Sequence, residues 1–138
     1  MLLVDSSVWI DWLRGAPTPT VQWLKTQANS QTIAITQLIY TEVLQGVRSE
    51  QQFAAVKQVL SAQELLLAHD DWLTYEAAAQ LYRRARQRGL TVRKPSDCII
   101  AQIALENDAV VVHNDRDFLA LAQADARLKV FPAAQSVH

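Results

Sequence analysis

Asp5, Glu42, Asp97 and Asp115 are the residues of this 138-residue chain whose types and settings could do chemistry together. Each stands beside apolar sequence in its own segment: Leu2-Leu3-Val4-Asp5, Leu38-Ile39-Tyr40-Thr41-Glu42-Val43-Leu44, Ser96-Asp97-Cys98-Ile99-Ile100-Ala101, and Val110-Val111-Val112-His113-Asn114-Asp115, with Asp117 close behind the last. Gathered carboxylates suit hard divalent cations, which prefer oxygen ligands. Two such ions about 3.5–4 Å apart can activate an attacking water and stabilise the leaving oxygen of a phosphodiester. Taken singly, each residue has an ordinary explanation. Asp5 suits a helix cap, Asp115 and Asp117 a polar turn, Glu42 a helix surface, and Asp97 a first helical turn, where the dipole contributes about 0.3–1 kcal/mol. The ordinary explanations weaken together, because Asp5, Asp97 and Asp115 come from separate β-α units and converge on one edge of the expected sheet.

That sheet is read from the alternation of short apolar runs with longer helical patterns. Strands are expected at Leu2-Leu3-Val4, Thr32-Ile33-Ala34-Ile35, Leu65-Leu66-Leu67, Ala109-Val110-Val111-Val112 and Lys129-Val130-Phe131. Helical patterns run from Val8 to Leu13, Leu38 to Val47, Glu50 to Leu60, from Asp70 or Asp71 to Gly89, from Pro95-Ser96 to Asn107 with Ser96 as the cap, and from Phe118 to Ala124. Gly15-Ala16-Pro17-Thr18-Pro19 reads as a loop between two helices, since two prolines remove backbone donors. Strands separated by helices imply parallel β-α-β units, hence a three-layer α/β/α sandwich with a mostly parallel central sheet. Asp5 and Asp115 then fall at carboxyl ends of strands, where open α/β sheets bind ligands. No repeat, low-complexity tract or flexible linker divides the chain, so residues 1–138 read as one domain.

Composition narrows the classes. Half the residues are hydrophobic and a fifth charged, which is globular, and no apolar run approaches the roughly 18 residues that cross a bilayer. The start Met1-Leu2-Leu3-Val4-Asp5 lacks a secretory pattern, which gives a cytoplasmic expectation. One cysteine, Cys98, excludes an internal disulfide and reads as a small core residue. His69, His113 and His138 lack paired zinc-ligand spacing. A net charge of -1 does not suggest a broad nucleic-acid surface, but divalent cations would neutralise an acidic cleft and let it accept phosphate. Trp9, Trp12 and Trp23 read as core rather than an exposed partner surface.

Val4-Asp5-Ser6-Ser7-Val8-Trp9-Ile10, Thr41-Glu42-Val43-Leu44-Gln45-Gly46, Ser96-Asp97-Cys98-Ile99-Ile100-Ala101 and Asn114-Asp115-Arg116-Asp117-Phe118 resemble, in order and spacing, the four signature segments of VapC-like PIN-domain ribonuclease toxins. The resemblance spans nearly the whole chain. It implies a PIN-like parallel sheet, endoribonuclease activity with one or two Mg²⁺ or Mn²⁺ ions, and a VapB-like antitoxin partner. A homodimer is a further option. By motif position Asp5, Glu42, Asp97 and Asp115 would be the catalytic metal ligands, with Asp117 auxiliary. His113 departs from the family's frequent Thr or Ser and leaves substrate positioning at that edge open. The basic stretch Arg83, Arg84, Arg86, Arg88, Arg93 and Lys94 leads into the Asp97 segment, and Arg86, Arg88, Arg93 and Lys94 read as a phosphate track for RNA. Two rival readings stand beside this one: an aspartyl phosphotransfer domain using Asp5, and a non-catalytic RNA-binding or assembly module on the same fold.

Overall fold

The apolar run Leu2-Leu3-Val4 forms β1 (Leu2–Val4), all three residues buried, at the centre of a five-stranded sheet in the computed structural model, which describes residues 1–133. The chain continues through α1 (Ser6–Leu13), α2 (Pro19–Gln27), β2 (Ile33–Ile35), α3 (Gln37–Gln45), α4 (Glu50–Ser61) and β3 (Glu64–Leu65). It returns through α5 (Leu73–Gln87), α6 (Pro95–Glu106), β4 (Val110–Val112), α7 (Arg116–Ala124) and β5 (Val130–Phe131). Every pairing is parallel and the strand order is β3-β2-β1-β4-β5. Helices α5, α6 and α7 pack on one another in one layer, while α1 packs with α2 and α3, and α3 with α4, in the other. Cover on both faces is why β1 and β4 carry only apolar residues.

The topology explains where a ligand site can form. From β1 the chain steps outward to β2 and β3, then crosses back so that β4 leads to β5 on the other side. The connections leaving β1 and β4 therefore diverge, and the crevice between divergent connections lies at the strands' carboxyl ends. Asp5 follows β1 there and Asp115 follows β4.

Local sequence sets the helix ends. Thr18, Thr36 and Ser49 each accept a hydrogen bond from a backbone amide three residues on, opening α2, α3 and α4. The Asp70 carboxylate accepts from the Trp72 and Leu73 amides and opens α5. Gly89 ends that helix at φ +75, a conformation strained for any residue with a Cβ. One expected start is corrected. Ser96 is not the cap of α6: Lys94 holds that position, Pro95 begins the helix with its fixed φ, and Asp97 sits two residues deeper than expected.

The third strand also differs from expectation, occupying Glu64–Leu65 rather than residues 65–67. It is an exposed edge strand, with Leu65 and Leu67 solvent-facing and only Leu66 buried. Of the three tryptophans read as core, Trp9 is buried and stacks on the half-buried Trp12, and the half-buried Trp23 stacks on Phe131, whereas Trp72 is exposed. Cys98 is buried among core residues. No helix among the described residues is long and apolar enough to cross a membrane.

Candidate active site

Asp5 leaves the sheet without losing its register. Its backbone amide donates to Val112 O at 2.9 Å, so the β1–β4 ladder runs on through it. The side chain does not cap α1. Instead the Ser7 hydroxyl donates to Asp5 Oδ2 at 3.1 Å, and Oδ1 is buried with no partner. From the facing layer α3 brings Glu42, half-buried, whose Oε2 accepts weakly from the Ser6 hydroxyl at 3.4 Å while Oε1 is left unpaired. Asp97, in the first turn of α6, is fully buried, and neither of its oxygens accepts a hydrogen bond.

Asp115 and Asp117 differ in kind from these three. Asp115 caps α7, accepting from the Asp117 amide at 2.9 Å, and its other oxygen pairs with Lys94 Nζ at 3.0 Å. The buried Asp117 carboxylate accepts from the Arg93 amide at 3.1 Å and the Lys94 amide at 2.9 Å. Asp117 thus pins the loop that precedes α6. Asp117→Ala should strand those two amides and lower stability by about 2–6 kcal/mol, at about 1–3 kcal/mol for each unsatisfied group. Urea unfolding measures it, and a loss under 0.5 kcal/mol would show that the clamp is dispensable.

Asp97, Asp115 and Asp117 each present an oxygen within 4.8 Å of the others, close enough together to hold a metal ion. Asp5 and Glu42 lie outside that triad but feel its charges or those of its neighbours. Burial raises the Asp5 carboxyl above its ordinary range, with repulsion from Asp115 adding to it against the Ser6 amide, Ser7 hydroxyl and Lys94. Burial and then repulsion from Asp5 raise Glu42. Asp97 is pushed up to about 8, first by burial, then by Asp5, with Asp117 and Asp115 contributing and Lys94 opposing. For Asp115 burial acts upward too, but the Asp117 amide and Lys94 outweigh it and hold the carboxyl low.

A buried oxygen with no donor costs about 1–3 kcal/mol, and an unpaired buried charge more. Asp5, Glu42 and Asp97 contribute four such oxygens to one electrostatic neighbourhood. A hard cation with oxygen ligands is the group that removes this cost, so the donor set fits a divalent metal.

The basic track divides. Arg93 and Lys94 reach the carboxylates, with Arg93 3.6 Å from Asp115 and 3.8 Å from Asp117. Arg86 and Arg88 do not: the Arg86 guanidinium lies over the Tyr82 ring, and Arg88 donates to the Gln123 carbonyl at the end of α7. Helical periodicity turns those two away, whereas the Asp117 clamp turns residues 93 and 94 inward.

His113 is buried. Its Nε2 donates to the Pro132 carbonyl at 2.9 Å, and Nδ1 accepts from the Asp115 amide at 3.1 Å. Burial holds the imidazole below its usual pKa, and these partners match its neutral form. His113 therefore orients the Asp115 turn rather than facing substrate; His138 lies outside the described residues.

Asn114 carries no cation-ligand signal in the sequence and proves to be a brace. Its Oδ1 accepts from Thr20 at 3.0 Å and its Nδ2 donates to Asp11 at 3.2 Å, tying the Asp115 turn to α1 and α2. Its position immediately before Asp115 was the available signal.

The PIN-domain family model matches residues 2–124. Ribonuclease VapC11 of Mycobacterium tuberculosis is 30% identical over 125 residues, covering 89% of this chain and 92% of that protein. Ribonuclease VapC19 of the same species is 31% identical over 119 residues, covering 86% and 92%. Among solved structures, DNA-bound VapBC from Salmonella typhimurium aligns with a TM-score of 0.70 at 21% identity, over 94% of this chain and 95% of that one. FitAcB from Neisseria gonorrhoeae aligns with a TM-score of 0.69 at 18% identity, over 95% and 96%. The structural matches establish the fold, and the family-model match spans all four acidic segments. The chain belongs to the PIN-domain family, and within it is similar to VapC ribonucleases along most of its length.

Proposed function

We propose that this protein is an endoribonuclease, the toxin of a VapBC-type toxin–antitoxin pair, and that it uses Mg²⁺ or Mn²⁺. The observation that carries the metal reading is the set of buried, unpartnered oxygens on Asp5, Glu42 and Asp97 beside Asp115, at the crevice where the sheet's connections diverge. The relatives named ribonuclease VapC carry the substrate class.

Asp5, Asp97, Asp115 and Glu42 would hold one or two ions, and Asp117 would maintain the loop beside them. A divalent cation bound there supplies a water of lowered pKa and positive charge against the phosphate. Ser7 orients Asp5 through the 3.1 Å hydrogen bond, and Asn114 and His113 hold the Asp115 turn at fixed register. Arg93, two-thirds exposed, stands at the rim, where a guanidinium pairs with a phosphate of entering RNA. Single-stranded or looped RNA suits this concave site, since its backbone enters without unwinding an A-form helix.

The antitoxin reading draws support from relatives solved as VapBC complexes. An apolar groove of about 550 Å³ between α1, α3 and α4, lined by Ile10, Leu13, Val43, Val56 and Val59 among others, offers a seat for an amphipathic partner helix.

The purified protein should cleave a single-stranded RNA in Mg²⁺ or Mn²⁺, lose that cleavage in EDTA and regain it when metal is returned. Full cleavage by a demonstrably metal-free preparation would overturn the metal-dependent mechanism. No cleavage of any RNA, with metal binding intact, would favour a binding module instead.

A further inference from the structure

Lys94 stands where a dissociable cation would stand. Its ammonium is 3.0 Å from Asp115 Oδ2 and 4.0 Å from Asp97 Oδ2, facing two of the three carboxylates that come within 4.8 Å of one another. The position is imposed by the backbone: the amides of Arg93 and Lys94 both donate to the buried Asp117 carboxylate, which fixes the start of the side chain beside the cluster. The side chain itself is 48% exposed, so it can swing to solvent without disturbing the core. Arg93 is placed differently, at 3.6 Å and 3.8 Å and more exposed, and meets the cluster at its edge.

An ammonium and a divalent ion compete for these oxygens. Asp115 Oδ2 already accepts from Lys94 at hydrogen-bond distance, and two cations held that close repel one another. Whatever enters must displace Lys94 or bind less tightly. We propose that Lys94 is a tethered, exchangeable counter-cation, which occupies the carboxylate cluster of the metal-free protein and is displaced when a divalent ion enters, so that it sets the metal affinity. This rests on the metal-dependent reading above and adds a residue that regulates it. It also gives Lys94 a first role different from a phosphate track, since its contacts are with the carboxylates and not along the groove.

The test is direct Mn²⁺ binding to the purified protein, by calorimetry and by loss of the free-ion electron paramagnetic resonance signal, for the unmodified chain, Lys94→Gln, Lys94→Arg and Asp97→Asn. Removing one charge-assisted competitor should make Lys94→Gln bind Mn²⁺ about tenfold more tightly. Lys94→Arg, which keeps the charge, should stay within about threefold of the unmodified protein. Lys94→Gln should also melt lower than the unmodified protein without metal, and the gap should close in saturating Mn²⁺. Equal or weaker Mn²⁺ binding by Lys94→Gln, with binding still lost in Asp97→Asn, overturns the exchange while leaving the metal site intact. Absence of specific Mn²⁺ binding by the unmodified protein and Lys94→Gln alike overturns the metal-dependent reading, and the exchange with it.

Discussion

At saturating Mg²⁺, Asp97→Asn should lower the single-turnover rate of RNA cleavage by about 10²–10³-fold, the loss typical of removing one preorganised electrostatic group from an active site. The expectation comes from the contrast among the carboxylates. Asp97 is fully buried with two oxygens that accept no hydrogen bond, so the fold maintains an unsatisfied carboxyl that a divalent cation can use once it displaces the proton. Asparagine keeps the shape and the place in the first turn of α6 but supplies a single neutral oxygen. Asp117→Asn should cost only about tenfold. Its carboxylate is already occupied by the Arg93 and Lys94 amides, and one carbonyl oxygen still serves one of them. A quenched fluorescent RNA oligonucleotide, followed with enzyme in excess, measures both. If Asp97→Asn retained a third or more of the activity, Asp97 would be a helix-start residue and not a ligand.

The same substitution should have the opposite effect on folding. In the native state Asp97 titrates at about 8, against an ordinary 3.8, with burial the main cause and Asp5 the next. Between those values the native state holds the proton more tightly than the unfolded chain, so stability falls as pH rises. The slope from this one group is up to about 1.4 kcal/mol per pH unit, and the cost is complete above about pH 8. Asp5 and Glu42 are raised as well and act in the same direction. The low Asp115 and Asp125 carboxyls contribute the reverse, since they stabilise the fold once ionised and lose that contribution in acid.

Asp97→Asn removes its own share and leaves the others. In EDTA it should therefore melt above the unmodified protein at pH 7–8, with the two curves converging towards pH 5. Mg²⁺ should raise the melting temperature of the unmodified protein much more than that of the variant. Thermal melts at matched ionic strength across this range decide the matter. An Asp97→Asn protein less stable in EDTA at every pH, with an unchanged Mg²⁺ response, would assign Asp97 to the helix dipole alone.

The chain's local chemistry was enough to find most of the elements and to nominate five acidic positions. Alternating apolar runs and capping residues such as Thr36, Ser49 and Asp70 act over a few residues, so β1, β2, β4 and the intervening helices are legible without long-range information. Weak local signals were misread: Leu65-Leu66-Leu67 looked like a strand because it is apolar, but at a sheet edge only Leu66 is covered and pairing begins at Glu64. Ser96 looked like a cap because its type suits one, yet Pro95 had already set the helix start.

The fate of the charged residues was decided elsewhere. Arg86, Arg88, Arg93 and Lys94 form one basic stretch in the sequence, and nothing in their order separates them. They part because Asp117, a residue more than twenty positions later, holds the amides of 93 and 94 against the cluster, while Arg88 meets the end of α7. Likewise His113 looked like an altered substrate contact until Pro132 and the Asp115 amide took both of its nitrogens. Sequence determined which groups could bind a cation, because that depends on residue type and on which strand ends carry them. Tertiary structure decided which oxygens remain unpaired and which cation already faces them, because burial and hydrogen bonding are settled by parts of the chain that meet only once the sheet and its two helical layers have closed.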